Sequence, residues 1–193
     1  MFQQPLCLTP PAQMHEPRLW VRRLVIWEKP GEPPLRDVPL RPGLNIVWTP
    51  DDNGIGHGGG KTLFCRLLRY CLGEDKFAPE DQRDGIGSAF PNGWVGMEVV
   101  LDGACWAVLR PLGIRRRHFA VLDGNLDELV LSEMPATGLS PLLNAIEENL
   151  LTPGVRDLIA GKKQEHQAWQ IALALLSRDL SLIHISEPTR PER

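Results

Sequence analysis

The chain has 193 residues, 42% of them hydrophobic and 23% charged, with a formal net charge of −3. This is an ordinary globular composition with room for one proper core. Its weak negative balance excludes a global electrostatic pull toward nucleic acid or an anionic membrane. Four cysteines (Cys7, Cys65, Cys71, Cys105) form no C-x-x-C pair and have no histidine at zinc spacing, so they read as buried or idle thiols in a reducing cytosol. With no apolar leader and no apolar run of bilayer length, the expectation is a soluble, cytoplasmic protein that does not enter a membrane.

Residues 1–17 carry Pro5, Pro10, Pro11 and Pro17 without periodicity and read as a loose N-terminal arm. Leu19 to Trp27 (LWVRRLVIW) is rich in β-branched and aromatic residues, a strand pattern. Five prolines between Pro30 and Pro42 leave room only for turns and a short edge segment. Gly43 then opens an apolar run, Leu44-Asn45-Ile46-Val47, which predicts a core strand.

That run leads into the most informative stretch, Trp48 to Gly73. A glycine-rich loop ends Gly58-Gly59-Gly60-Lys61-Thr62 and passes directly into an amphipathic helix. Glycines let backbone N–H groups turn inward on a phosphate, and the helix N-terminus adds a partial positive charge. Lys61 would reach the β- and γ-phosphates of a nucleotide, and the Thr62 hydroxyl would hold Mg²⁺. Gly58, Gly59, Gly60, Lys61, Thr62 and Leu63 are therefore the candidate nucleotide-binding residues. The loop departs from G-x-x-x-x-G-K-[ST], because Ile55 stands where the first glycine belongs, between Gly54 and Gly56. It is also longer than usual and contains Asp51 and Asp52. His57 to Gly60 spells HGGG, an oxyanion-hole motif of some esterases, but no G-x-S-x-G elbow exists to accompany it, and that reading is rejected.

The helix places Leu63, Phe64, Leu67, Leu68, Cys71 and Leu72 on one wide face, with Arg66 and Arg69 opposite and Gly73 as its stop. Glu74 to Asn92 is charged and glycine-rich, and reads as a surface excursion. Trp94–Leu101 and Ala104–Arg110, joined by Asp102-Gly103, predict a hairpin with a type I′ turn. Arg115-Arg116-Arg117 reads first as a solvated tip, with contact to DNA as the alternative. His118 to Leu122 predicts a further strand. Phe119 to Asp123 has a Walker B outline, yet Gly124 replaces the catalytic Glu, and Asp123-Gly124-Asn125 reads better as a turn. Ser140-Pro141 is expected to start a helix through Leu151 with Ser140 as N-cap. Gln164 to Arg178 predicts another, with Trp169, Leu173 and Leu176 on one side. Trp27 and Trp48 read first as core residues, with stacking on adenine as the alternative.

Leu180 to Arg190 (LSLIHISEPTR) resembles a one-frame translation of a sequencing adapter. The expectation is that residues 180–193 are a non-native tail and that the natural protein continues past Asp179.

The order of strand, Pro/Gly turn, GLNIV, phosphate loop, helix ending near LGED, and strands with VVLDGACWAVLRPLG resembles a known pattern. It is similar to the N-terminal half of the ATPase head of the SMC (structural maintenance of chromosomes) and RecN-like group of ABC ATPases. The match spans Leu19 to Arg110, with the phosphate loop as its specific motif. The resemblance implies an α/β fold: a P-loop NTPase lobe with a parallel core strand–loop–helix, an added antiparallel β-meander, and helices after it, in an incomplete domain over residues 18–179. It further implies ATP and Mg²⁺ as ligands, a second ATPase head as partner, and work on DNA. The signature motif, Walker B and catalytic Glu of such heads lie in a C-terminal half that this chain lacks, so an ATPase is expected only in the full-length protein. Two alternatives stand beside it: another P-loop NTPase of kinase or switch type, and a non-hydrolysing nucleotide-binding module.

Overall fold

A computed structural model of the chain describes residues 17–47, 60–113, 117–132, 138–155 and 167–176. The expected arm before residue 17 and the tail from 180 onward lie outside the described residues, as do Arg115 and Arg116.

Five strands form one sheet in the order β2-β1-β3-β4-β5, and every neighbouring pair is antiparallel. They are β1 (Leu19–Trp27), β2 (Arg36–Pro39), β3 (Trp94–Leu101), β4 (Ala104–Pro111) and β5 (Phe119–Leu122). The helices are α1 (Lys61–Cys71), α2 (Glu80–Ala89), α3 (Leu126–Leu129), α4 (Ser140–Leu150) and α5 (Gln167–Leu176). This is the mixed α/β architecture with an antiparallel meander and following helices. The parallel core strand is not among the described elements. Leu44 to Val47 lies in no strand, and Leu44 and Ile46 are 74% and 79% exposed. A strand needs a neighbour to take its backbone hydrogen bonds, and none of the named strands pairs with this run.

The sheet is covered on both sides. Leu24, Val95, Met97, Val99, Trp106 and Val108 meet Leu67, Tyr70 and Cys71 of α1, Leu142 and Ile146 of α4, and Trp169 and Leu173 of α5. On the other face Val25, Trp27, Trp94, Leu109 and Phe119 meet Leu126 and Leu129 of α3. A β-bulge between Val21 and Arg23 reverses the alternation of β1. Leu19 and Val21 before it and Leu24 and Ile26 after it therefore serve the same core.

The hairpin forms as the Asp-Gly pair dictates. Asp102 and Gly103 have φ of 48° and 83°, both positive as a type I′ turn requires. Asp123 also has positive φ, at 53°, and is exposed in a turn. Asn125 then caps α3, its Oδ1 accepting from the Asp127 N–H at 3.0 Å and the Glu128 N–H at 3.3 Å.

Three expectations need correction. The stretch from Glu74 to Asn92 contains α2 rather than only an irregular excursion. Glu80 and Asp81 in its first turn complement the helix dipole, and Phe77 and Ala78 anchor its approach in the core. The glycines that obscured it are Gly85 and Gly87, of which Gly87 is buried. Ser140 does not cap α4: Leu139 holds the N-cap position, and no side chain bonds there. In α5, Trp169 and Leu173 face the core, but Leu176 is 76% exposed. Among the described residues, no helix is long and apolar enough to cross a membrane.

Candidate nucleotide-binding site

Of the candidate binding residues, Gly60, Lys61, Thr62 and Leu63 are described, whereas Gly58 and Gly59 lie outside the described residues, as do Trp48, Asp51, Asp52 and His57. Gly60 is the N-cap of α1, with φ 66° and ψ 10°. In this left-handed region glycine carries no Cβ penalty. The helix's first internal bond runs from the Phe64 N–H to the Gly60 carbonyl at 2.8 Å. The N–H groups of Lys61, Thr62 and Leu63 precede any i→i−4 partner, and Gly60 at the N-cap has no side chain to cap them. The first turn contains no acidic residue. Lys61 and Thr62 are exposed, and Leu63 is partly buried against the main core. A groove of about 330 Å³ opens beside this turn, lined by Leu63 and Leu67 of α1, Ile26 of β1, and Leu35 and Arg36 at the start of β2.

The opposite end of α1 is closed by many partners. Gly73, at φ 111°, gives its N–H to the Tyr70 carbonyl at 3.1 Å, and the Glu74 N–H reaches the Arg69 carbonyl at 3.0 Å. Together these form a Schellman motif. Arg110 of β4, only 5% exposed, donates from Nη1 to the Tyr70 carbonyl and, at 2.7 Å, to the Glu74 carbonyl. Its guanidinium carbon lies 3.5 Å from the Tyr70 ring centroid. Tyr70 Oη in turn donates to the Pro111 carbonyl at 3.0 Å. Burial draws the Arg110 pKa below its ordinary value and pushes that of Tyr70 up. From α5, Trp169 Nε1 donates to the Leu72 carbonyl at 2.6 Å, and Gln170 Nε2 to the Gly73 carbonyl at 3.4 Å.

Helix α1 is therefore fixed at its C-terminal end and presents donors, a lysine and a hydroxyl at its N-terminal end. Such an end can receive an oxyanion. The other candidates do not gather there. Trp27 is 3% exposed and packs on the sheet face away from α1, so it belongs to the core and not to a base-stacking site. Asp123 sits in the turn after β5, at the sheet edge opposite β2. Arg117 is exposed and lies in no strand.

Sequence reasoning passed over Arg110, Tyr70 and Trp169 as a group. The signal for Arg110 was present: the period of two in ACWAVLR places it on the same face as Trp106 and Val108, at the end of an apolar run. Tyr70 and Trp169 carried no comparable signal, because their partners are backbone carbonyls at a helix end.

No protein-family model matches the chain, and no curated protein matches it.

Proposed function

We propose that the chain binds ATP as the N-terminal lobe of an SMC-like P-loop ATPase. The observation that carries the reading is the first turn of α1: a left-handed Gly60, N–H groups without intrahelical partners, no acidic residue, and Lys61 and Thr62 exposed side by side after a glycine-rich stretch of sequence. Lys61 neutralises the β/γ-phosphate oxygens and the backbone donors hold them. The chemistry of Thr62 fits Mg²⁺, since a hydroxyl at this position is a hard oxygen ligand. Bound Mg²⁺ would neutralise phosphate charge. The groove beside Leu63 provides apolar surface next to the anion-holding end.

The finer fold in this reading makes Leu44–Val47 the parallel core strand that leads into the phosphate loop. In this reading the missing strands, the signature motif and the catalytic Glu come from a C-terminal half, two heads close over ATP, and the assembly works on DNA in the cytoplasm. Kinase or switch-type NTPases remain the second reading, and a non-hydrolysing module the third.

The test is Mg²⁺-linked binding. Thr62→Ala should weaken ATP binding in the presence of Mg²⁺ far more than in EDTA, read with a fluorescent ATP analogue. An equal loss in both conditions would remove Thr62 from the metal role. No binding by the unmodified protein would sink the nucleotide reading.

A further inference from the structure

Arg110 is the only buried charged residue among the described residues, at 5% exposure, and its Nε has no hydrogen-bond partner. A buried guanidinium is costly unless its surroundings compensate for lost water. Its partners here are two carbonyls at the C-terminal end of α1 and the face of Tyr70. That end carries the negative pole of the helix dipole. A buried cation there neutralises the pole that would otherwise oppose an anion at the other end. The eleven-residue helix puts the two ends about 16 Å apart at 1.5 Å per residue.

We infer that Arg110 is a positioning residue for the anion-holding end of α1, acting through the helix by its fixed charge and by locking the last turn to β4. The inference rests on the nucleotide-binding reading of Gly60, Lys61 and Thr62. Purely structural anchoring would change the affinity of all ligands alike. A charge acting along the helix changes it in proportion to ligand charge, and across this distance the effect on a triphosphate is roughly threefold to tenfold.

The experiment is calorimetric titration of the full chain with ATP, ADP and AMP in EDTA, comparing wild type with Arg110→Met, Arg110→Gln and Arg110→Lys. Circular dichroism checks that each variant is folded. The neutral variants should lose roughly threefold to tenfold for ATP, less for ADP and least for AMP, so that the ATP-to-AMP affinity ratio falls. Arg110→Lys, which keeps the charge, should hold that ratio within about twofold of wild type. Equal losses for all three nucleotides, or no loss in a folded neutral variant, would overturn the inference and leave the nucleotide reading intact. Should neither neutral variant fold, a collapsed ratio in Arg110→Lys overturns it instead. Wild type that binds none of the three would defeat both.

Discussion

Gly96 of β3 makes the space that the Trp27 indole of β1 fills. A Cβ at Gly96 would stand 2.6 Å from Cζ3 of Trp27 and 2.8 Å from Cδ1 of Leu126. The face of the sheet away from α1 is closed by α3, a helix of only four residues, so the indole supplies much of its apolar cover. Gly96→Ala should destabilise the protein by about 1–3 kcal/mol, the usual cost of overpacking a filled core. Urea denaturation checks the magnitude, and the Trp27 fluorescence maximum should shift as the ring is displaced. An unchanged midpoint would mean that α3 gives way without cost.

Asp37 should contribute an acid-sensitive increment of stability. Both of its oxygens accept from Arg23, at 2.9 and 2.8 Å, and the Arg23 guanidinium holds its carboxyl below the ordinary range. A folded pKa below the unfolded one means stabilisation that is present above the unfolded value, near pH 4, and lost as pH falls through the folded value. Asp37 is 40% exposed in its side chain, so solvent screening limits the effect to about 1 kcal/mol or less. Asp37→Asn should lower stability at pH 7 and flatten the loss below about pH 4. Parallel stability curves for wild type and variant between pH 2.5 and 7 would contradict this.

Thiol reactivity should separate the two cysteines of α1. Cys65 is exposed on α1, whereas Cys71 is fully buried and burial pushes its pKa up to about 12. The thiolate is the reacting species, so at pH 8 Cys65 should label rapidly and Cys71 only on unfolding. Mass mapping after a short pulse of maleimide reads both sites. Fast labelling of Cys71 in native protein would show that α1 opens from the sheet.

Much of the sheet was legible because its signals are local. Asp102-Gly103 demands a type I′ turn, and Asp123-Gly124-Asn125 a second turn, whatever surrounds them. The near-continuous apolar runs Trp94–Leu101 and Ala104–Arg110 specify strands buried on both faces. The illegible parts depended on distant partners. Leu44–Val47 reads as a strand by composition, but pairing needs a neighbour. Helix α2 was hidden by Gly85 and Gly87, whose low helix propensity is outweighed by burial of Phe77 and Ala78 ahead of it. At the candidate site, glycine, lysine and threonine showed the anion-holding end of α1, while the closure of its other end by Arg110 and Trp169 needed the tertiary structure.

Turnover should be absent or near background in the isolated chain. In-line attack needs a positioned water and a further charge donor beyond the loop lysine, and the one Walker B outline, at Asp123, ends in an exposed turn. Phosphate release from purified protein is the measurement. A rate of about one per second, lost in Lys61→Ala, would mean a complete active site in this chain. Asp123, Asp51 and Asp52 would then become the catalytic candidates.

The central claim is that α1 holds a nucleotide phosphate at Lys61. Isothermal titration of ATP with Mg²⁺ into wild type and Lys61→Ala tests it most directly, because the substitution removes the exposed charge at the first helical position and leaves the buried face of α1 untouched. Wild type should give a saturable isotherm and Lys61→Ala none, with both proteins melting at the same temperature. Equal ATP affinity in the two proteins would contradict it.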